Sequence, residues 1–345
     1  MTFAGGEIYF IRERDLISNE LTEYFKVGIV REGGKNGRNS EDRLKDHQTG
    51  NPRELVLDEV FKTPLAEKLE TIVQAINAEA GIRGEWMRIQ DGNIDLIKSQ
   101  LVQLVDEAKS AGPIMTNAEE LKNKSSNGTK LQADGDALKW HAVYSRANLS
   151  IAYYEPIVKR INSLILDAIE KGEDVAKVAK IQEKKTRFDL DEDALKAAHP
   201  DIYALFFEIV VSEPTGKFVP KKVPTDQDLI DNVLMPLTSE IVQVVERVET
   251  GELGKVSLHK PWLSLWGLLA KESWDKEVAL ANLKVICGLN SGIEDVCTWN
   301  RLEKKTEKFN KSAFKEAHPE LYEKFQKEIQ VKAALIVDKN VGYAD

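Results

Sequence analysis

Cysteine is scarce in this chain, with two in 345 residues, Cys287 and Cys297. Two thiols exclude a disulfide framework and a cysteine zinc site, and they suit a reducing compartment. Their surroundings read as helical, so both are expected as buried helix residues. Long apolar runs are lacking as well. No window approaches the ~18 apolar residues of a membrane span. No basic segment leads into an apolar run at the N-terminus, so no signal peptide is expected. The expected location is the cytoplasm. Positive charge is in deficit, with 48 Lys and Arg against 57 Asp and Glu, a net charge of -9. That balance argues against a broad nucleic-acid-binding surface.

The deficit is not uniform. From Lys26 to Arg53 there are seven Lys/Arg against four acids, a local net charge of +3, with His47 besides. Arg31, Lys35, Arg38, Lys45 and His47 are the candidate phosphate contacts of this stretch. The alternative for a charge run alone is a solvated loop.

Segments 6–12, 24–30 and 54–61 are rich in β-forming residues and read as three strands. A Gly/Asn/Arg loop, 32–39, leads to a short helix with Ser40 as its expected N-cap, Glu41 and Asp42 in its first turn, and a stop at Gly50-Asn51-Pro52. A second helix is expected over 64–80, where Leu65, Leu69, Ile72, Val73 and Ile76 keep helical spacing. The fold class is therefore α+β. Residues 1–92 form a small domain with a three-stranded antiparallel sheet and flanking helices. An amphipathic helix, 93–111, and a Gly/Asn/Ser/Lys-rich linker, 112–136, follow.

The rest reads as mostly α-helical and contains a duplicated subdomain. Glu183-Lys184-Lys185-Thr186 and Ala194-Leu195-Lys196-Ala197-Ala198-His199-Pro200 return as Glu303-Lys304-Lys305-Thr306 and Ala313-Phe314-Lys315-Glu316-Ala317-His318-Pro319. Gly172-Glu173-Asp174-Val175 answers Ile293-Glu294-Asp295-Val296. The expected divisions are 137–213 for the first copy, a linker over 214–225, and 226–345 for a helical segment and the second copy. His199 and His318 each precede proline and read as turn residues between helices rather than metal ligands. The six tryptophans read as helix-packing residues.

Phosphodiester hydrolysis needs an activated water, charge neutralisation on the phosphate and help for the leaving oxygen. Glu70 falls on the inner stripe of the second helix, beside Leu69, where a carboxylate is costly unless paired or metal-bound. Arg43 lies one turn into the short helix and suits bidentate phosphate contact. Tyr9 sits mid-strand, and Lys26 on the next strand is expected to lower the tyrosine pKa or to bind phosphate itself. Each has a blander alternative: a core tyrosine with a wet hydroxyl, a surface arginine, a solvated helix glutamate.

The order of Glu7-Ile8-Tyr9, Lys26-Val27-Gly28, Arg43-Leu44, and Glu70 with Gly84-Glu85-Trp86 resembles the GIY-YIG endonuclease superfamily. More closely it resembles the phage-type branch whose domain closes in Gly-Glu-Trp. The stretch Asp46-His47-Gln48-Thr49-Gly50-Asn51-Pro52 is similar too, and the resemblance covers about residues 5–90. It implies a DNA endonuclease with one divalent cation, Mg²⁺ or Mn²⁺, held by Glu70. It also implies Tyr9 near the attacking water and Arg43 on the phosphate. Lys26 stands where the second tyrosine of the family would be, Glu7 where its first glycine would be, and Gln74 where many of the branch carry histidine. Residues 292–299 and 314–322 resemble a tail of phage lambda-type recombination exonucleases, without that enzyme's core. Together these imply a phage or prophage setting, hence a bacterial or phage-infected cell. DNA is the expected partner, with a protein partner or self-association through the helical region. The alternative is a non-catalytic DNA- or protein-binding protein on the same fold.

Overall fold

The computed structural model describes residues 5–33, 38–49, 51–89, 93–175, 178–182, 186–331 and 333–339. The fold is α+β. The N-terminal part runs β1 (Gly6–Arg14), β2 (Leu21–Arg31), α1 (Ser40–Gln48), β3 (Glu54–Thr63), α2 (Ala66–Ile76), β4 (Gly81–Arg83) and β5 (Trp86–Arg88). Its antiparallel sheet has five strands in the order β3-β1-β2-β5-β4, two short ones more than the three expected. Three-residue strands carry too little alternation to register in sequence.

Period-two alternation along β1 divides the two faces. Ile8 and Phe10, with Phe25 and Val27 of β2, pack against Leu69, Ile72 and Val73 of α2. Tyr9 and Ile11 face the other way, onto Leu55, Leu44 and Trp86. Burying each large apolar side chain of α2 contributes about 1.5–3 kcal/mol.

Helix α1 is capped by Asn39, not Ser40. The Asn39 side chain accepts from the Asp42 N–H, and the Asp42 carboxylate accepts from the Asn39 N–H, completing a capping box. Ser40 is instead the first helical residue and is buried. Helix α3 (Ile94–Lys122) runs eleven residues past the expected end, straight through Gly112 and Pro113. Gly112 is a packing residue there, since a Cβ would lie 2.7 Å from the Pro64 ring. The stretch expected as a linker is therefore helix to Lys122 and then a docked loop. Ser126 N–H donates to Arg301 O at 3.0 Å and Asn127 N–H to Leu289 O at 2.8 Å.

The remainder comprises β6 (Lys130–Leu131), α4 (Gly135–Glu170), β7 (Ala179–Gln182), β8 (Thr186–Leu190), α5 (Glu192–Ala198), α6 (Pro200–Ala204), β9 (Phe207–Val211) and β10 (Val219–Pro220). Next come α7 (Gln227–Leu229), which passes through a π-helical turn into α8 (Met235–Glu249), then α9 (His259–Cys287), β11 (Gly292–Ile293) and β12 (Cys297–Thr298). The chain closes with β13 (Lys305–Phe309), α10 (Lys311–Ala317), α11 (Pro319–Lys324), β14 (Gln326–Gln330) and β15 (Ala334–Val337). Each copy of the repeat is thus strand–helix–helix–strand, where only helices were expected. The copies exchange strands: β8 pairs with β14 and β9 with β13. His199 and His318 cap equivalent helices with φ/ψ of -138°/62° and -135°/62°. Their rings pack reciprocally, His199 on Phe325 at 5.7 Å and His318 on Phe206 at 5.6 Å. The expected 214–225 linker is likewise docked, with Thr215 bridged to Leu302 and β10 paired with β12. Cys297 lies in a strand, not a helix, and both cysteines are buried free thiols.

Helix α9 joins the two parts. Its Trp274 and Ala281 belong to the same core as the N-terminal sheet and α3. The indole N–H of Trp274 donates to Glu107 at 2.9 Å, and that of Trp262 to Asn162 at 3.0 Å. No described helix is long and apolar enough to cross a membrane.

Candidate active site

Strand β5 pairs with β2 only from Tyr24 to Lys26, and beyond that register β2 borders a cavity of about 420 Å³. The cavity is lined by Tyr9, Ile29, Val30, Arg31, Arg38, Arg43, Glu70 and Glu85. Side chains from opposite faces of the sheet meet there. Tyr9 stands opposite Gly28 in the β1–β2 register. A Cβ on Gly28 would lie 2.5 Å from the tyrosine hydroxyl, so only glycine lets the ring cross β2 to its open edge. Glu70 approaches that edge from α2.

Arg43 is placed by an anchor that sequence reasoning treated only as a departure from the family pattern. The Glu7 carboxylate accepts from Ser40 N–H at 3.0 Å and from Ser40 Oγ–H at 2.6 Å. This ties the start of α1 to β1 and sets Arg43 one turn further on. His47 follows Arg43 by four residues and shares its face. Its Nε2 lies 3.5 Å from the Tyr9 hydroxyl. Arg43 and Arg38 both reach Asp46, at 3.3 and 2.9 Å, and Arg31 pairs with Glu67. Lys45 lies two residues from Arg43 on another face of α1, pairs with Asp42 at 3.6 Å, and does not line the cavity. Lys35 lies outside the described residues.

The electrostatics correct one expectation. Burial pushes the Tyr9 phenol above its ordinary value, with the Arg43 guanidinium pulling the other way. Lys26 is not among the groups that shift it, and its side chain is buried and paired with Glu85. Tyr9 is therefore a neutral phenol near pH 7. Burial, Lys26 and Arg43 hold His47 below the usual imidazole range, so it is neutral and able to take a proton. Glu70 is raised to about 7, first by burial and then by the nearby Glu85 charge. Among the described residues Glu70 has no ion-pair or hydrogen-bond partner.

A half-buried carboxylate without a partner, facing a polar cavity, fits a divalent cation. Mg²⁺ takes oxygen ligands and is commonly bound through one or two carboxylates plus substrate phosphate. Among the described residues no group of three or more His, Cys, Asp or Glu is arranged to hold a metal. Gln74, on the same helix as Glu70, lines a separate small cavity with Gly84 and Trp266, away from Tyr9. Its side chain therefore has no part in this cavity.

Glu85 is the residue that sequence reasoning left without a role. Gly84, with φ of 61°, makes the turn between β4 and β5 and delivers Glu85 to the cavity beside Lys26, while Trp86 pairs with Lys26 across the strands. The Gly-Glu-Trp sequence was the available signal: a turn glycine, an acid and an aromatic anchor in succession. In comparisons with family models, curated proteins and solved structures, the chain finds no match.

Proposed function

We propose that this protein is a metal-dependent endonuclease of GIY-YIG type that hydrolyses phosphodiester bonds in DNA, in a phage or prophage setting. The observation that carries the reading is the meeting of Tyr9, Arg43 and Glu70, from three separate elements, around one cavity edged by Arg31 and Arg38. A binding module has no use for a half-buried, partnerless carboxylate among arginines.

When bound at Glu70, Mg²⁺ or Mn²⁺ supplies Lewis-acid polarisation of the phosphate and eases ionisation of water. The chain's own residues do the rest. Arg43, rigidly charged and held by Asp46, lies where negative charge grows on the phosphoryl oxygens. The Tyr9 hydroxyl orients the attacking water, and the neutral His47 behind it accepts the proton. Arg31 and Arg38 hold the flanking backbone. Lys26, bound to Glu85, holds that acid at the cavity.

The test is cleavage of plasmid, branched and single-stranded DNA with Mg²⁺ or Mn²⁺. Tyr9→Phe, Arg43→Ala and Glu70→Ala are each expected to lower the rate by about a hundredfold or more, consistent with losing transition-state contacts. Circular dichroism should remain unchanged. Absence of cleavage by the wild-type protein on all three substrates with either ion defeats the enzyme reading.

A further inference from the structure

The arginines around the cavity are already matched. Arg31 has Glu67, and Arg38 and Arg43 share Asp46. None of them answers the carboxylate of Glu70 or the second oxygen of Glu85. Glu85 contacts Lys26 through Oε2, and its Oε1 has no partner among the described residues. The Lys26 side chain is buried, whereas the Glu85 side chain keeps 44% of its surface exposed and lines the cavity. The two glutamates arrive independently, one from α2 and one from the β4–β5 turn, and both line the same space.

Charge points the same way. Four cations surround the site, Lys26, Arg31, Arg38 and Arg43, with four carboxylates, Asp46, Glu67, Glu70 and Glu85. With all of them ionised the site is neutral. A bound divalent cation gives it a surplus of two, the charge that one phosphodiester and one hydroxide bring. A monovalent cation leaves that pair half compensated.

We propose that Glu85 is the second carboxylate of the cation site: Glu70 and the free Oε1 of Glu85 hold the divalent ion together, while Lys26 fixes Glu85 through its other oxygen. This rests on the endonuclease reading and deepens it. Lys26 then acts as a positioning residue, orienting Glu85 and drawing off part of its charge. A Glu85 that served only to neutralise Lys26 would need no opening onto the cavity.

The experiment is a Mn²⁺ titration of the full chain, followed through the paramagnetic resonance signal of free Mn²⁺, without DNA. Glu70→Gln and Glu85→Gln are each expected to weaken binding on the order of tenfold or more, at least the scale that losing an outer-shell partner of a ligand costs. Lys26→Met is expected to weaken binding less than Glu85→Gln does, because Glu85 loses its orienting partner but keeps its carboxylate. Glu85→Gln leaves the Lys26 ammonium buried without an acid, a change that can unfold the protein. The double variant Lys26→Met with Glu85→Gln removes that charge as well, and it is expected to bind as weakly as Glu85→Gln. If the double variant binds Mn²⁺ like wild type while Glu70→Gln does not, the role of Glu85 is overturned and the endonuclease reading stands. If the wild-type chain binds no Mn²⁺ without DNA, the two-carboxylate site is overturned, and the endonuclease reading is decided by the cleavage assay.

Discussion

Single residues decide most of what this site can do. Glu70 makes the sharpest case, since its folded pKa of about 7 lies above the ordinary 4.5. Between those values the folded chain keeps a proton that the unfolded chain releases, so stability falls as pH rises, and the full cost is present above pH 7. In EDTA the protein is expected to lose about 1 kcal/mol between pH 5 and pH 8, a figure already reduced for partial solvent exposure. Glu70→Gln should flatten that slope and melt roughly 2–4 °C higher than wild type at pH 8, with the two converging at pH 4.5. Thermal melts at the two pH values check it, and parallel slopes in both proteins would count against a raised Glu70. Gly28 is the second case. Gly28→Ala puts a methyl into the Tyr9 ring, and overpacking of that kind costs about 1–3 kcal/mol. The expected signature is lowered stability with cleavage falling further than stability alone accounts for, because the ring no longer reaches the edge of β2. Tyr9, Arg43 and Glu70 were readable because residue type and order mattered more than geometry. Lys45 does not line the cavity, which a charge run read without helical phase does not show: on α1, residues 43 and 47 share a face and residue 45 does not. Glu85 went unassigned because a glutamate after a turn glycine reads as a solvent residue until the strand pairing sets it beside Lys26.

At the scale of elements, two helices carry the site and each is pinned from outside it. Helix α1 hangs from Glu7 through Ser40. Removing a charged acceptor from a buried partner costs about 1–3 kcal/mol. If the proposed cleavage holds, Glu7→Ala is therefore expected to loosen the start of α1 and to lower kcat while leaving KM near wild type, since Arg31 and Arg38 keep their places at the cavity. An unchanged kcat counts against the anchor. Helix α2 is gripped on its outer side by α9, where Gly267 meets the Ala75–Ile76 backbone. A Cβ on Gly267 would lie 2.8 Å from Ala75 O. Lys68 to Glu277 at 2.6 Å ties the same two helices. Periodicity showed that α2 has a buried face, but it could not show that a neighbouring face also has a partner 192 residues away in sequence. The same limit explains the false linker at 112–136. Gly-Pro reads as a helix stop in isolation, whereas here Gly112 is the point of closest approach to Pro64.

For the whole molecule, the consequence is that the N-terminal part does not close its core alone, although the sequence divides near residue 92. Trp274 and Ala281 of α9 complete its core, and α9 in turn packs along α4, with Leu283 and Cys287 at its end sharing a core with Ile293, Val296 and Trp299. The two copies depend on each other in the same manner, because each strand pair draws one strand from either copy. Their shared core, with Leu190 and Leu195 from one copy and Phe309 and Phe314 from the other, forms only when both are present. The repeat itself was legible from its recurring sequence. The exchange was not, since pairing between distant strands leaves no local mark. A chain cut after residue 225 keeps every residue of the candidate site but loses α9, β13 and β14. It exposes Leu101, Leu104, Val105 and Ala108 of α3, which lie in the core that Trp274 completes. Uncovering four such side chains costs several kcal/mol at about 25 cal/mol per Å², comparable with the whole stability of an ordinary domain. That truncated chain is expected to melt without a cooperative transition and to cleave nothing, whereas the full chain unfolds with α2, α3 and α9 in one step. Differential scanning calorimetry of both reads the difference directly. A sharp transition and retained Mg²⁺-dependent cleavage in the shortened chain would show that α9 is dispensable for holding Glu70 in place.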